Sequence, residues 1–195
     1  MSPPQPPRPP QPDEPIAGRA RPGTLPDHAP RLETERLILR GWRMADFEPL
    51  AEMMADPDCG RFITANSKPL DATASWFNMM TLAGMWAVQG YGLFVMEEKA
   101  TGKFVGRTGP FHPLGWPGFE VGWGLHPTAR GKGYATEAAR AAMAWSRSTL
   151  AARDIVHVIA VDNVPSQAVA RRLGAVPGER MELFGRLSDI WVSRA

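Results

Sequence analysis

The chain carries the stretch Arg130-Gly-Lys-Gly-Tyr-Ala135 between a predicted strand and a predicted helix. Glycine lets a backbone come close to a ligand, and the first N–H groups of a helix have no partner within it. A turn of this kind therefore suits an anion, and a diphosphate matches its donors. The segment 130–153 holds five basic residues and one acidic residue, so the basic excess of the chain lies here.

The spacing of this stretch excludes two common nucleotide loops. A P-loop needs Gly-x-x-x-x-Gly-Lys followed by Ser or Thr, which this sequence lacks. The dinucleotide pattern Gly-x-Gly-x-x-Gly is also unmatched, because Ala135 and Thr136 follow at the positions after Tyr134. From the residues alone, a plain glycine-rich turn before a solvated basic helix stays open as the alternative.

The elements around this loop predict an α/β fold with a mixed, mostly antiparallel central sheet flanked by helices. Apolar periodicity and turn residues predict strands at 32–39, 91–97, 104–107, 119–125 and 155–161, with two more inside 181–192. Helical spacing, caps and stops predict helices at 47–55, 72–88, 134–149 and 165–173. The three strands in succession before the loop indicate a meander.

Composition divides the chain into two parts. Residues 1–30 contain eleven of the 20 prolines, which predicts a flexible, polyproline-like tail. Such a tail could bind an SH3-like groove of a partner, or it is simply solvated. Residues 31–195 have the length of one ordinary domain, and the chain is 44% apolar and 22% charged, as a globular protein is.

Charge and cysteine content limit the class of protein. A net charge of +2 gives no argument for nucleic acid, so no nucleic-acid partner is expected. The single cysteine, Cys59, cannot form an internal disulfide, and the four scattered histidines give no metal pattern. No apolar run is long enough for a membrane helix, and the N-terminus lacks the pattern of a secretory signal. We therefore expect a cytoplasmic protein without a metal.

Two ordered motifs resemble those of a known family. Arg130-x-x-Gly133-x-Ala135 is similar to the acetyl-CoA pyrophosphate loop of the GNAT N-acetyltransferase superfamily. One strand later, the segment 163–174 resembles the Asn-x-x-Ser motif of that superfamily and its Leu-Gly helix end. Leu37-Ile-Leu-Arg40 and the segment 119–123 are similar to the branch of ribosomal-protein N-acetyltransferases of the RimJ and RimL type. The resemblance covers about residues 31–194 and implies a GNAT-like fold.

The resemblance also implies a cosubstrate and an acceptor. The cosubstrate is acetyl-CoA, with its pantetheine arm beside the strand 120–125 and an oxyanion donor near Gly124 or Leu125. The acceptor is a primary amine of a protein N-terminus or a small molecule, and a homodimer is left open. The residues implied to hold acetyl-CoA are Leu125, Arg130, Gly131, Lys132, Gly133, Tyr134, Ala135, Thr136, Asn163 and Ser166.

Acetyl transfer to an amine needs a base and a donor for the departing thiolate, and two residues are candidates. Glu120 is the candidate base, with a solvent-facing strand residue as the alternative and His112 as the substitute base. Ser166 is the candidate donor toward the sulfur, with a helix cap as the alternative. Asn163 would position the cofactor or the local backbone. Many relatives carry a tyrosine where this chain has Ala170, so a tyrosine acid is missing here.

Three further features have functional interpretations. The helix at 72–88 is rich in aromatic residues and methionine and could form a wall of the acceptor pocket, although helical core packing explains the same pattern. Trp116 lies in a loop rich in proline and glycine, which favours a contact surface. Cys59 has no assigned base, which argues against a thiol nucleophile.

The sequence leaves two other functions open. Without the tyrosine at position 170, the chain could be a non-catalytic module that senses acyl-CoA or binds a partner through its tail. A nucleic-acid-binding domain is the weaker alternative, because no such motif appears. We expect an acetyl-CoA-dependent N-acetyltransferase that transfers the acetyl group directly, without a covalent enzyme intermediate.

Overall fold

The computed structural model describes residues 28–64 and 66–195, so most of the predicted proline-rich tail lies outside the described residues. Eight strands form one sheet in the order β1-β2-β3-β4-β5-β6-β8-β7. Their bounds are β1 Leu32–Glu33, β2 Leu37–Arg40, β3 Phe94–Glu98, β4 Phe104–Phe111, β5 Glu120–Leu125, β6 Ile155–Ala160, β7 Val176–Leu183 and β8 Arg186–Ser193.

Five α-helices flank the sheet: α1 Phe47–Ala55, α2 Pro57–Ile63, α3 Ala72–Gln89, α4 Tyr134–Leu150 and α5 Val164–Arg172. All strand pairs are antiparallel except β5 with β6. The mixed, mostly antiparallel sheet expected from the sequence is thereby confirmed. The single parallel pair follows from α4, which carries the chain back across the sheet between β5 and β6.

The two faces of the sheet carry different helices. On one face, α4 presents small buried residues to the sheet, and the largest core cluster lies there with Leu39, Phe94 and Val121. Ala29 packs against the same core. On the other face, α1 packs against α3 around Leu50, Met54 and Met79. Because strand residues alternate between faces, β4 and β5 contribute apolar side chains to the α4 face and different residues to the α1–α2 face.

The helix ends follow the caps and stops in the sequence. Asp71 caps α3 by accepting a hydrogen bond from Ala74 N at 2.8 Å, and the helix ends at Gly90 with a φ of 76°. The structure differs at α2, which the sequence did not predict. There Asp56 caps a new helix and Pro57 occupies its first turn, so the pair that stops α1 also starts α2.

The opening strand expected at 32–39 is instead two short strands, β1 and β2, that pair antiparallel with each other. The other differences lie at strand ends. The last hairpin begins at Val176 instead of about residue 181, because β7 is an exposed edge strand without apolar alternation. β4 continues to Phe111, four residues beyond the expected end. Across the described ranges 28–64 and 66–195, the helices are all too short or too polar to cross a membrane. The same ranges contain no group of three or more His, Cys, Asp or Glu side chains placed to hold a metal ion.

Candidate active site

A cleft of about 810 Å³ opens where β5 and β6 separate. The two strands pair at a single register position, Glu120 with Val156. Beyond that position side chains occupy the gap: Val158 N donates to Glu120 Oε1 at 3.1 Å, and Nδ1 of His157 donates to the carbonyl oxygen of Val121 at 2.7 Å. The strands therefore diverge into a V-shaped gap that an extended chain can enter. Residues of α2, β4, α5 and β8 form the remaining walls.

Glu120 lies at the closed end of this gap and is buried, with 8% of its surface exposed. Its interpretation as a solvent-facing strand residue is therefore wrong. The carboxylate accepts hydrogen bonds from Trp116 Nε1 at 2.6 Å and from Val158 N. Burial raises the pKa of Glu120 from 4.5 to about 7, and the two hydrogen bonds oppose this rise because they stabilise the charged form. At neutral pH the group can both accept and release a proton.

The loop before β5 supplies Trp116 as the partner of this carboxyl group. The indole ring packs at right angles to Phe111, with ring centroids 5.2 Å apart, and lines the cleft. The contact surface predicted for Trp116 is therefore part of the cleft wall. His112, the substitute base, is exposed, packs edge-on against Phe119 and is not among the cleft residues. The sequence places both residues in one loop. Only the structure shows that Trp116 lines the cleft and that His112 lies outside it.

The glycine-rich loop leads into α4 at the open end of the gap. Gly131 and Gly133 have φ values of 78° and 83°, which a residue with a side chain adopts only with strain. Gly133 is the N-cap of α4, and no side chain caps the helix. The first backbone N–H groups of α4 therefore remain available as donors, and the positive end of the helix dipole adds to their attraction for an anion. These donors fit a diphosphate group.

The side chains of the loop face different surroundings. Arg130 lies against α2, where it forms ion pairs with Asp56 and with Asp58, the latter at 3.2 Å. Its Nη2 also lies 3.1 Å from the sulfur of Cys59. Diphosphate binding by the Arg130 side chain thus requires these ion pairs to open. Burial raises the pKa of Cys59, so its thiol stays protonated at neutral pH and is a poor nucleophile.

Tyr134 and Lys132 take part in a network that anchors the loop. The Tyr134 hydroxyl donates to Glu98, and the guanidinium of Arg36 lies 4.7 Å from the centre of the tyrosine ring. Arg36 also donates to the carbonyl oxygen of Lys132 at 2.9 Å and forms an ion pair with Glu137. Tyr134 thus positions the loop with a side chain that is directed away from the cleft, whereas the neighbouring Ala135 lines it.

The Asn-x-x-Ser segment forms the start of α5, across the gap from β5. Asn163 is the N-cap and accepts a hydrogen bond from Ser166 N at 3.2 Å, so the helix-cap role considered for Ser166 belongs to Asn163. The Ser166 hydroxyl oxygen accepts from Trp123 Nε1 at 3.3 Å, which leaves its proton free to be donated into the cleft. Ala170 is fully buried one turn later.

Several cleft residues do not stand out in the sequence. His157, on β6, is 1% exposed, and burial lowers its pKa from 6.5 to about 4, so it is neutral. Arg107, on β4, is also buried in the cleft wall, and its only sequence signal was a charge inside an apolar strand pattern. The helix α2 forms one wall, whereas no residue of α3 lines the cleft. Met79, Leu82 and Trp86 of α3 are buried, but Phe77 and Met80 are exposed, so packing explains part of its apolar pattern.

Comparisons with known proteins agree with this geometry. Residues 36–176 match the model of the acetyltransferase (GNAT) domain family. A curated relative from Bacillus subtilis strain 168, the uncharacterized N-acetyltransferase YnaD, is 21% identical over 143 residues, which cover 73% of this chain and 81% of that protein.

Solved structures share the fold. The acetyltransferase from Agrobacterium tumefaciens strain C58 superposes with a TM-score of 0.75 at 30% identity, covering 91% of this chain and all of that one. A ribosomal L7/L12 α-N-protein acetyltransferase, RimL, in complex with coenzyme A superposes with a TM-score of 0.69 at 16% identity, covering 85% of this chain and 98% of that one. The match of the family model over most of the chain, together with the Agrobacterium structure, shows that the chain belongs to the GNAT acetyltransferase family, whose enzymes use acetyl-CoA.

Proposed function

We propose that this protein transfers an acetyl group from acetyl-CoA directly to a primary amine, with Glu120 as the base. The observation that carries the proposal is the buried Glu120 carboxyl at the closed end of a gap whose open end holds the free amides of α4. A proton acceptor and an anion-binding helix start are thereby joined by one channel. The acceptor amine is that of a protein N-terminus or of a small molecule.

Each residue has a distinct task in this proposal. The turn at Gly131 and Gly133 and the first amides of α4 bind the diphosphate, which anchors the cosubstrate at the open end. Backbone N–H groups near Gly124 or Leu125 stabilise the negative charge that develops on the thioester oxygen. When bound, acetyl-CoA supplies an activated acyl group with a thiolate as the leaving group.

Glu120 removes the proton from the ammonium form of the acceptor, because only the neutral amine is nucleophilic. A carboxyl group with a pKa of about 7 is suited to this task, since it is partly ionised at neutral pH and is a stronger base than an exposed glutamate. The Ser166 hydroxyl donates a hydrogen bond to the sulfur as the C–S bond breaks. The second proton lost by the attacking nitrogen reaches the thiolate through this hydroxyl, so the products are the amide and the CoA thiol, and the serine stays neutral. No cysteine intermediate takes part, since the thiol of Cys59 is held protonated.

The test is an acetyl-transfer screen that measures thiol release from acetyl-CoA with peptide N-termini, polyamines and aminoglycosides. Wild-type protein should turn over at least one class, with a rate that rises with pH through about 7. Glu120→Gln should lose most activity and this rise, while acetyl-CoA binding by calorimetry stays unchanged. A wild-type pH profile in a folded Glu120→Gln variant would contradict the assignment. Cofactor binding without turnover on every acceptor would favour the non-catalytic module.

A further inference from the structure

Arg107 is a buried cation in the cleft wall, and the described residues offer it no hydrogen-bond or ion-pair partner. The residue is 8% exposed, lies on β4 opposite Gly124 of β5, and lines the cleft. Within residues 28–64 and 66–195, no hydrogen bond or ion pair reaches its guanidinium group. Burial lowers the pKa of Arg107 to about 10, so the group still carries its charge at neutral pH. An unpaired charge in such a place is costly to the folded state.

A second arginine of the same sheet shows what a satisfied partner set looks like. Arg40 on β2 pairs with Val95 of β3, and Val95 pairs with Arg107, so the three residues form one row across the sheet. Arg40 is buried to a similar degree, at 6% exposed, yet two of its nitrogens bind the Asp46 carboxylate at 2.8 Å each and a third binds Glu97 at 2.7 Å. Of the two arginines in this row, Arg107 is the one that no carboxylate of the described residues contacts.

The other charged groups of the cleft are already occupied. Asp58 pairs with Arg130, and Asp162 pairs with Arg61. Arg186 donates to the carbonyl oxygens of Phe62 and Thr64 at 2.8 and 2.7 Å. The thiol of Cys59 is the ionisable group that acts electrostatically on Arg107, and it is protonated and neutral. Glu120 is the remaining carboxyl group of the cleft, and it lies four residues along the strand from Arg107. Within the described residues, no carboxylate therefore lies beside the Arg107 guanidinium.

The surface between Arg107 and Glu120 lacks side chains. Along the β4–β5 pair, the register runs from Arg107 with Gly124, through Gly109 with Gly122, to Phe111 with Glu120. Paired residues share a face, so two glycines form the floor between the two charged groups. A Cβ added at Gly122 would have the Glu120 side chain as its nearest neighbour, at 3.5 Å. The floor spans four residues, or about 13 Å of strand.

Arg107 lies on the face of the β4–β5 pair that α1 and α2 cover. Gly124 faces Ile63 of α2 and Met53 of α1, whereas Val121 and Leu125 of the same strand pack on the α4 face. The diphosphate donors belong to α4, on the opposite side of the sheet from Arg107. A phosphate bound at the start of α4 already has the helix amides and Arg130 as donors, so the Arg107 guanidinium is left for an anionic group of the acceptor.

We propose that Arg107 determines specificity by binding a carboxylate of the acceptor, so that the acceptor is an amine that also carries a carboxylate. The amine lies at the thioester near Gly124 or Leu125, and its proton reaches Glu120 through water along the glycine floor. The carboxylate lies at the Arg107 guanidinium, which is next to Gly124 in the register. The planar guanidinium offers two parallel N–H groups to the two carboxylate oxygens. This inference rests on the proposed acetyl transfer and narrows its acceptor class. Free amino acids and acidic peptide N-termini share this chemistry.

The first test compares matched acceptors with wild-type protein. Peptides that contain Asp or Glu in their first three residues are paired with their Asn or Gln counterparts, and free amino acids with their carboxamides. Acetyl transfer should favour the carboxylate member by roughly ten- to a hundredfold in kcat/KM, the range expected for a charge-assisted hydrogen bond. The pair that discriminates identifies the source of the carboxylate. Equal rates within every pair would overturn this inference and leave acetyl transfer intact, whereas turnover of no acceptor would overturn the proposed function.

The second test uses Arg107→Gln and Arg107→Lys, with Arg153→Gln as the control because Arg153 is exposed and outside the cleft. Calorimetry of the carboxylate acceptor with CoA-loaded protein should show a loss of affinity of at least tenfold in Arg107→Gln and a smaller loss in Arg107→Lys. The carboxamide acceptor and acetyl-CoA itself should bind both variants as they bind wild type. A selective loss of acetyl-CoA affinity would assign Arg107 to the cosubstrate and contradict the proposal. The wild-type comparison stands even if a variant fails to fold.

Discussion

The indole Nε1 of Trp116 donates a hydrogen bond to Oε2 of Glu120 at 2.6 Å. The two residues are four positions apart in sequence, and the bond joins the loop before β5 to the first residue of that strand. Because the bond stabilises the ionised carboxylate, it moderates the rise in pKa that burial causes. Trp116 is thus a positioning residue that keeps the pKa of Glu120, the candidate base, close to neutral.

Replacing Trp116 with Phe should raise the pKa of Glu120 further above 7, since the hydrogen bond to its charged form is lost. The base would then ionise at higher pH, so the rising limb of kcat/KM should move up by several tenths of a pH unit to about one unit. Phe184→Leu is the matched control, because it alters the neighbouring ring contact of Trp116 and keeps the hydrogen bond. A profile of Trp116→Phe that coincides with the control would contradict the role given to this bond.

Gly133→Val should weaken acetyl-CoA binding at least tenfold. The residue sits at a φ of 83°, where an added side chain strains the turn that presents the α4 amides. Gly102→Val is the control, since Gly102 has a φ of 67° and lies in the β3–β4 turn outside the cleft. Calorimetry with acetyl-CoA should show a loss in the first variant alone. Equal affinity in both would remove the loop from the cofactor site.

Asp58→Asn should increase acetyl-CoA affinity by about two- to fivefold. The carboxylate forms an exposed ion pair with Arg130, and exposed pairs stabilise by up to about 1 kcal/mol. Its removal leaves Arg130 with one ion pair, to Asp56, instead of two, so the guanidinium turns to the diphosphate more readily. It also removes a negative charge from the cleft rim. Asp154→Asn, an exposed position away from the cleft, should change nothing. A weaker affinity in Asp58→Asn would show that Arg130 acts together with its carboxylates.

Ser166→Ala should lower kcat by roughly ten- to a hundredfold with little effect on acetyl-CoA affinity. The hydroxyl accepts from Trp123 Nε1, so its own proton remains available for the departing sulfur. Ser148→Ala is the control, because that hydroxyl bonds to the carbonyl oxygen of Trp145 on α4. The measurement is single-turnover acetyl transfer. A kcat equal to that of the control would leave Ser166 with a purely structural part.

His157 should make the fold sensitive to acid. Its folded pKa of about 4 lies below the ordinary value of 6.5, so its contribution to stability is present above 6.5 and is lost as the pH falls through 4. The shift corresponds to about 3 kcal/mol of unfolding free energy. Urea unfolding at pH 7 and pH 4.5 should therefore show a smaller loss in His157→Gln than in wild type. His112→Gln, an exposed histidine, should follow wild type.

Local chemistry determined much of the fold from the sequence alone. Interactions between near neighbours in the chain set several features that the sequence predicts. They are the spacing of apolar residues in α4, the glycines Gly131 and Gly133 of the loop before it, and the turn between β3 and β4. The glycine-rich loop before α4 and the Asn163-x-x-Ser166 segment belong to the same class, since each is a helix start whose donors lie within a few residues. The exception, α2, arose where one Asp-Pro pair both ends and begins a helix.

The chemistry inside the cleft was decided by tertiary structure. Glu120 has a raised pKa because β6 separates from β5 beside it and the Trp116 loop covers it, and strand alternation alone cannot report either event. The sequence carries no sign that the arginines at positions 40 and 107 differ in charge pairing. In the structure, Asp46 and Glu97 neutralise only Arg40. Burial and charge pairing depend on contacts between segments that are far apart in the chain, and only the packed tertiary structure determines those contacts.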